Sequence, residues 1–281
     1  MENREFEIYI TSEQKPFDLR IKELVRYKDL IWLFVKRSFT SQYKQTILGP
    51  MWFVLNPLIT TFISTLIFGG IAHIESDGVP YFLFYLSGYT LWNYFSTCVS
   101  QTSSTFTANA GIMGKVYFPR LTMPISSVIY SAVNMLIVFI MTLLTMFYYY
   151  LNGASIKISL GIIVIPVLMV QTAVLGLGVG IIISSLTTKY RDLAILVSFG
   201  LQLWMYLTPV VYPITEVSGL LKTLLFINPM TAVVQNFKYF LMGIGEFYGF
   251  WWLVSGLVTI IVFLYGVLLF NKVEKNFMDT V

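Results

Sequence analysis

Residues 207–213 of the chain read Leu207-Thr208-Pro209-Val210-Val211-Tyr212-Pro213. They interrupt an uncharged run, 193–215, that is otherwise long enough to cross a bilayer as a helix. Proline lacks a backbone N–H and bends or ends a helix, so its two prolines predict a break at membrane depth. Such a break is tolerated only where protein or a water-lined cavity satisfies the freed backbone groups. The stretch therefore predicts a specialised site in the membrane rather than an ordinary span.

The composition is that of a membrane protein. Hydrophobic residues make up 57% of the 281, aromatic residues 17% and charged residues 11%, against about 25% charged in an average soluble domain. The single cysteine, Cys98, excludes a disulfide scaffold and a cysteine-based metal site. The net charge of +4 gives little support for nucleic-acid binding, and we expect no nucleic-acid partner.

Uncharged runs predict six membrane spans, because a charge at the centre of a span costs about 3 kcal/mol or more. Each run exceeds the roughly 20 residues that a helix needs to cross. The predicted fold is an all-α integral membrane protein with six transmembrane helices, a cytoplasmic N-terminal amphipathic helix and a re-entrant helical hairpin between helices 5 and 6. The predicted spans are about 52–72, 81–103, 125–150, 160–186, 193–211 and 250–271.

The basic residues predict the orientation and the regions of the chain. With six spans, all of the 18 Lys and Arg except Lys157, Lys222 and Lys238 fall on one side. The positive-inside rule then places both termini in the cytoplasm. Three regions are expected: a cytoplasmic tail and amphipathic interface helix, a six-helix transmembrane domain and a second cytoplasmic tail. Their bounds are 1–50, 51–272 and 273–281.

Apolar residues between Phe17 and Tyr43 recur near helical spacing among basic residues. This pattern is typical of an amphipathic helix that lies on the cytoplasmic membrane surface. A solvated helix packed on a partner protein fits the same pattern, and the sequence leaves both interpretations open.

The second span combines many aromatic side chains with hydroxyl groups and carries no charge. Rings stack on the apolar faces of sugars and hydroxyls exchange hydrogen bonds with them, so the combination suits neutral, hydroxyl-rich cargo. Helix packing and an interfacial aromatic belt explain the same composition and stay open as an alternative. The aromatic residues of this span are Tyr81, Phe82, Phe84, Tyr85, Tyr89, Trp92, Tyr94 and Phe95.

Two glycine patterns resemble nucleotide-binding motifs and fail as such. Gly114-Lys115 is preceded at the fifth position by Asn109 and followed by Val116, so the phosphate-binding loop pattern is absent. Gly176, Gly178 and Gly180 follow no strand, and they predict close helix packing rather than a dinucleotide loop. We therefore expect no ATP hydrolysis by this chain.

The predicted spans contain no acidic or basic residue. This removes the usual means of coupling transport to protons or sodium, and it removes the carboxylate or His/Asp/Ser sets that an intramembrane hydrolase needs. Transport by this chain would have to be powered through its cytoplasmic loops by a separate ATPase.

Residues 212–249 form the one long segment predicted on the outer side. It contains two amphipathic pieces separated by Asn228-Pro229, and its uncharged run 223–237 is too short to span a bilayer. We predict a re-entrant helical hairpin over 212–243, with a flat external loop as the alternative.

Five segments resemble the membrane subunits of polysaccharide-exporting ABC transporters, the ABC-2 type permeases that export O-antigen, capsule or teichoic acid. The resemblance runs from about Leu30 to Asp279, with the segments in the family's order. The segments are Tyr43-Lys44-Gln45-Thr46-Ile47-Leu48-Gly49-Pro50-Met51-Trp52, Lys115-Val116-Tyr117-Phe118-Pro119-Arg120, Tyr190-Arg191-Asp192, Thr208-Pro209-Val210-Val211-Tyr212-Pro213 and Asn228-Pro229-Met230.

The resemblance implies a role for each of three residue sets. The residues implied in coupling to the ATPase are Lys115, Val116, Tyr117, Phe118, Pro119, Arg120, Tyr190, Arg191 and Asp192. The residues expected to line a channel for the glycan are Phe53, Tyr85, Tyr89 and Trp92. The residues implied in an outer gate are Pro209, Tyr212, Pro213, Asn228 and Pro229.

The resemblance also implies partners. We expect a second copy of the chain, two ABC ATPase subunits that bind ATP and Mg, an undecaprenyl-linked polysaccharide and membrane lipid, in a bacterial cytoplasmic membrane. No cofactor, metal or catalytic residue is expected in this chain. The alternatives are an ABC-2 permease for small hydrophobic drugs or lipids, and a stand-alone membrane enzyme or secondary carrier.

Overall fold

The computed structural model describes residues 21–44, 46–113, 118–157, 160–188, 190 and 192–280. Regular structure in these ranges is entirely helical, as predicted. The helices are α1 (Ile21–Arg26), α2 (Lys28–Tyr43), α3 (Trp52–Ser64), α4 (Tyr81–Ser103), α5 (Thr105–Met113), α6 (Thr122–Leu151), α7 (Ile165–Thr187), α8 (Leu193–Tyr206), α9 (Gly219–Ile227), α10 (Pro229–Met242) and α11 (Gly249–Thr280). A 3₁₀ turn, Gly49–Met51, leads into α3, and a π-helix, Thr65–Ile71, continues it.

Four helical segments of the described chain are long and apolar enough to cross a membrane: Gly49–Ile71, Thr122–Leu151, Gly161–Thr187 and Gly249–Val273. The chain is thus a multi-pass membrane protein. The other two predicted spans differ from these for separate reasons. Helix α4 has 23 residues, as many as α7, but it is more polar; α8 has 14 because it ends at the predicted break. The count of six spans stays a prediction.

Helix α7 lies at the centre of the bundle between α4 and α11. A Cβ on Gly180 would lie 2.6 Å from the Cβ of Thr102 on α4, and Gly176 approaches the same helix as closely. A Cβ on Gly178 would lie 2.9 Å from the Cα of Phe263 on α11. The glycines therefore serve close helix packing on two sides of α7, as the sequence predicted.

The N-terminal helix α2 packs on α6. Val35 is buried there in one cluster with Phe53 of α3 and Tyr130 of α6. Trp32 and Leu33 remain exposed elsewhere on α2. The helix thus has one apolar surface inside the protomer and exposed apolar side chains outside it, and its position on a membrane surface stays a prediction.

The outer segment folds as two helices after the break. Eleven of the 14 residues of α10 are buried against α4, α7 and α11, whereas α9 buries only Leu225 and Phe226. Gly243, with φ of 69°, ends α10 in the left-handed conformation that favours glycine. A flat external loop would leave α10 exposed, so the structure favours a packed hairpin. The depth of this hairpin in the membrane stays a prediction.

Candidate functional site

A polar face runs along the C-terminal half of α4. Its side chains recur at i, i+3, i+4, i+7, i+8 and i+11, which is the spacing of one side of a helix. All of them are at least partly exposed in the protomer. They are Asn93, Ser96, Thr97, Ser100, Gln101 and Ser104. Hydrogen-bonding groups are costly to place against hydrocarbon, so this polar face is suited to water, polar cargo or another protein surface.

A cavity of about 410 Å³ lies between the polar face of α4 and helix α8. Trp92 contributes an aromatic ring to its wall, and hydroxyl and amide groups from both helices supply the polar part. No charged side chain is among the lining residues. They are Trp92, Ser96, Thr97, Ser100, Gln101, Ser198, Leu201 and Gln202.

A second cavity, of about 290 Å³, lies among α2, α4, α5 and α6. Its lining is rich in hydroxyls and amides, and Arg37 is the one charged residue in it. Gln101 lines both cavities, so they meet at the polar face of α4. The lining residues are Phe34, Arg37, Ser38, Ser41, Gln42, Gln101, Ser104, Ala108, Asn109, Met123, Ser126, Ser127 and Tyr130.

Three of the four aromatic residues predicted to line a channel adjoin the polar face. Tyr85 and Tyr89 stack with ring centroids 5.8 Å apart, and the Tyr89 hydroxyl donates to Asn93 Oδ1 at 3.4 Å. Trp92 lines the larger cavity. Phe53 lies apart from them, buried under α2. Their role as a channel lining stays a prediction.

The structure supplies partners for the backbone groups that the break frees. Asn228 donates its side-chain amide to the carbonyl of Leu207 at 3.3 Å and to the hydroxyl of Thr208 at 2.8 Å. The hydroxyl of Tyr81 on α4 donates to the carbonyl of Val211. Side chains of α4 and of the hairpin therefore satisfy this segment, which is one of the two conditions for such a break.

Two side chains of α10 satisfy the centre of the same segment. Gln235 Nε2 and Lys238 Nζ both donate to the carbonyl of Pro209 at 3.1 Å, and Lys238 also reaches the carbonyl of Val210 at 3.4 Å. The Lys238 ammonium lies 3.4 Å from the centroid of the Phe84 ring. Cation–π contacts contribute about 2 kcal/mol or more when they are desolvated. The ammonium is thus held by two carbonyls and one aromatic face.

Lys238 is fully buried, although it was counted among the outer charges in the sequence. Burial lowers its pKa, and the charge of Asp77 acts in the opposite direction. A pattern in the sequence indicates this burial: Lys238 shares one side of α10 with Met230, Val234 and Leu241, at i, i+4, i+8 and i+11. The uncharged runs do not reveal the burial of Lys238, because the run 223–237 ends immediately before it.

The remaining residues predicted for the gate also lie at the break. Tyr212 is half-buried and donates its hydroxyl to the carbonyl of Tyr206 at 3.1 Å. Pro213 is buried, and Pro229 occupies the first turn of α10 after the capping residue Asn228. Segment 207–213 and the turn between α9 and α10 therefore come together in space, and their function as a gate stays a prediction.

The residues predicted to couple to an ATPase are described only in part. Lys115, Val116, Tyr117 and Arg191 lie outside the described residues. Phe118 and Pro119 are buried, and the Phe118 ring lies 5.8 Å from that of Phe34 on α2. Arg120 is half-buried, whereas Tyr190 and Asp192 are exposed. Phe118 therefore packs under α2, and Tyr190 offers the larger exposed surface.

A family model described as ABC-2 type transporter matches residues 29–242, about three quarters of the chain. The chain belongs to the ABC-2 type transporter family. It is also similar to proteins named O-antigen export system permease protein RfbA. Two from Klebsiella pneumoniae are 26% identical over 254 and 253 residues, covering 89% of this chain and 94% of each relative. One from Myxococcus xanthus is 26% identical over 220 residues, covering 78% of this chain and 82% of that protein.

Membership of the ABC-2 family confirms the resemblance read from the five segments. The matched range contains α2, the polar face of α4, the break and the whole of α10. The family provides the membrane part of a transporter, so the two polar cavities lie in a transport subunit.

Proposed function

We propose that this chain is the membrane subunit of an ATP-driven exporter that moves a lipid-linked polysaccharide across the bacterial cytoplasmic membrane. The observation that carries the proposal is the uncharged polar face of α4, with Trp92 beside it in the wall of the larger cavity. The three relatives named as O-antigen export permeases support the polymer class. O-antigen, a capsular glycan and teichoic acid all fit this chemistry.

The lining favours a sugar over a hydrophobic drug. Hydroxyls and amides exchange hydrogen bonds with sugar hydroxyls, and an indole ring stacks on an apolar sugar face. A small hydrophobic drug or lipid would gain little from these groups. We therefore place the drug or lipid exporter second.

The proposed layout has six spans, with α4 and α8 crossing the membrane beside the four apolar segments. Both termini are cytoplasmic, α1 and α2 lie at the inner membrane surface, and the hairpin 212–243 enters the membrane from outside as a gate. The domain bounds are 1–50, 51–272 and 273–281, and α11 continues through most of the last region. Tyr89 and Trp92 face the glycan. Tyr85, which is buried in the main core, and Phe53, which is buried under α2, join them only if the neighbouring helices move.

A second copy completes the pathway. Helix α8 buries a single residue, Leu201, and exposes both Ser198 and Gln202 next to the polar face of α4. Polar groups at the surface of a span need a polar neighbour. A homodimer that joins two such surfaces would enclose a continuous channel.

The energy comes from two ABC ATPase subunits, which bind ATP and Mg. The uncharged spans offer no route for ion coupling, so force enters through residues 115–120 and 190–192. The cavity under α2 lies beside this cytoplasmic surface. Its one charged side chain, Arg37, suits a phosphate group of an undecaprenyl-linked cargo.

The test is export in a strain that lacks this chain and carries variants of it. Thr97→Leu places an apolar side chain in the larger cavity and removes a hydrogen-bonding group worth about 1 kcal/mol, so we expect surface polysaccharide to fall about fivefold. Undecaprenyl-linked polymer should accumulate in the cytoplasm, where mass spectrometry would detect it.

The matched control is Thr145→Leu, the same substitution at a half-buried threonine of α6 outside both cavities. It should export as the wild type does. Normal surface glycan in the strain without the chain would reject the proposal and favour the drug or lipid exporter.

A further inference from the structure

We infer that Lys238 is the positioning residue that holds the outer break closed, an inference that rests on the proposed gate. The N–H groups of Leu207 and Thr208 still bond back to α8, to the carbonyls of Leu203 at 3.4 Å and Met205 at 3.1 Å, and Val210 bonds locally to Thr208 at 2.6 Å. The central carbonyls of segment 207–213, at Pro209 and Val210, end on one ammonium that also contacts the ring of Phe84. Movement of the segment must therefore separate it from Lys238.

The helix that carries Lys238 is the fixed side of this contact. The carbonyl of Pro229, at the start of α10, accepts from Ser255 Oγ of α11 at 2.8 Å. Ser255 in turn accepts from Gln171 Nε2 of α7 at 2.8 Å, and Gln171 Oε1 accepts from Trp252 at 2.7 Å. Two central helices thus anchor α10, which is itself almost entirely buried.

The helix that leads into the break is held much less firmly. Helix α8 has one buried residue, Leu201, and α9 has two. Helix α8 packs on α4 chiefly through Trp204, whose ring lies 5.2 Å from that of Phe95, and α9 packs through Phe226 on Trp251. The polar contacts of segment 207–213 add to this limited apolar contact. A displacement of α8 would therefore move the segment, and the bonds from Lys238 on the anchored helix α10 resist this movement.

Gly88 on α4 leaves room for the ammonium of Lys238. A Cβ on Gly88 would lie 3.0 Å from Lys238 Cε and 3.3 Å from both Lys238 Nζ and the Cα of Val210. All three distances are shorter than those of nine in ten observed Cβ contacts. The absence of a side chain at Gly88 therefore lets the lysine and the broken segment lie against the same turn of α4.

A buried charge held by carbonyls and an aromatic ring is a poor way to gain stability, since replacing a buried ionic group with an apolar one of similar shape is often neutral or stabilising. Lys238→Met keeps the length of the side chain and removes the ammonium. It also removes the donor to the carbonyl of Val210, which lowers the stability slightly. A positional role predicts that this variant loosens the segment while the stability of the whole protein changes little.

The experiment measures cysteine labelling of the full chain in spheroplasts. A cysteine replaces Val211, which is buried in the segment, in a background with Cys98→Ala, and a membrane-impermeant maleimide is the probe. We expect Lys238→Met to raise the labelling rate at least about tenfold, since it removes charge-assisted hydrogen bonds. The unfolding temperature in detergent should fall by no more than about 4 °C.

Two controls separate this result from general loosening. Lys222→Met removes another lysine of the outer segment, one that lies 5.4 Å from the Tyr248 ring, and it should leave the labelling of Val211→Cys unchanged. A cysteine at Leu241, buried on α10, should stay unlabelled in Lys238→Met. Equal gains at both cysteines, or a gain that comes with a fall in unfolding temperature of more than about 4 °C, would overturn the inference.

Gly88→Ala tests the same contact with the lysine retained. The added Cβ should displace Lys238 Cε and raise labelling of Val211→Cys. Unchanged labelling in either the Lys238 or the Gly88 variant would also overturn the inference. The assay needs no polysaccharide, so its outcome can be interpreted even if the proposed cargo is wrong.

Discussion

At the scale of single residues, the break depends on side chains that complete the hydrogen bonding of its backbone. Asn228 does this for two helices at once. Its Oδ1 accepts the N–H of Met230 at the start of α10, and its Nδ2 donates to Thr208 and to the carbonyl of Leu207 after α8. One amide therefore joins the end of the fifth predicted span to the hairpin.

Asn228→Ala should lower the free energy of unfolding by about 2 kcal/mol, since it removes a helix cap and leaves polar groups near Leu207 without their partner. Denaturant titration in detergent measures the change. The control is Asn152→Ala, which removes an exposed bond of 2.8 Å to the carbonyl of Tyr148 at the end of α6. It should change the stability by less than about 0.5 kcal/mol. Equal losses for the two variants would argue against the joining role of Asn228.

At the scale of elements, α7 and α4 have different uses for small and polar residues. Helix α7 uses its glycines to approach α4 and α11 closely. Helix α4 buries one side against α6 and α7 and leaves its polar face open. Composition alone does not separate these two uses, since each helix is uncharged and long enough to span.

Gly178→Ala should destabilise the bundle by about 2 kcal/mol through overpacking, because the new Cβ would lie 2.9 Å from the Cα of Phe263, a backbone atom that moves only with its helix. Thermal unfolding in detergent measures the effect. At Gly256 on α11 a Cβ meets nothing within 4 Å. Gly256→Ala should therefore stabilise the helix by up to about 1 kcal/mol. Effects of the same sign at both glycines would contradict the packing argument.

At the scale of the whole molecule, the protomer exposes three kinds of surface. Exposed apolar side chains on α3, α6 and α11 suit lipid. The polar face of α4 with α8 would suit the proposed second copy and cargo, and the turn at Tyr190, predicted to be cytoplasmic, would suit a soluble partner. Phe118, implied by the resemblance in coupling to the ATPase, packs against Phe34, and its role in coupling stays a prediction. A substitution at Phe118 therefore perturbs α2 as well as any docking surface.

Tyr190→Ala is the cleaner test of coupling, because Tyr190 is 55% exposed. Tyrosine is enriched among the residues that dominate interfaces, and we expect the amount of ATPase that copurifies to fall at least about fivefold. Tyr265→Ala, which truncates a tyrosine of 53% exposure on α11, is the control and should retain the ATPase. Full retention by Tyr190→Ala would remove this turn from the coupling surface.

Much of the fold was predictable from sequence because hydrophobic spacing and prolines act locally. Uncharged runs located the helices, Pro209 and Pro213 located the break, and Gly176 to Gly180 predicted close packing. The count of spans proved harder, since α4 is polar for its length and α8 is short. Helix α4 differs from an apolar span because of its polar side chains, and α8 differs because it ends at the break.

The residue types of the candidate site were predictable from the sequence, but the contacts between those residues were not. The second span showed aromatic and hydroxyl groups, yet whether they serve packing or a cavity depends on which side of α4 faces its neighbours. The structure separates Phe53 from Tyr89 and Trp92, and it places Gln101 in both cavities. These relations join residues far apart in sequence.

The sequence by itself determined that the chain is a helical membrane protein, that it breaks at residues 207–213, and that it resembles the ABC-2 permeases. Hydropathy, proline geometry and short motifs are properties of neighbouring residues, so they are readable without a fold. Only the tertiary structure decided what satisfies the break. Tyr81 comes from α4, and Asn228, Gln235 and Lys238 from the hairpin, as much as 130 residues away. Lys238, which the sequence assigns to the outer side of the membrane, is the buried partner of the broken backbone. Its burial depends on the packing of α10 and not on the charge of one residue.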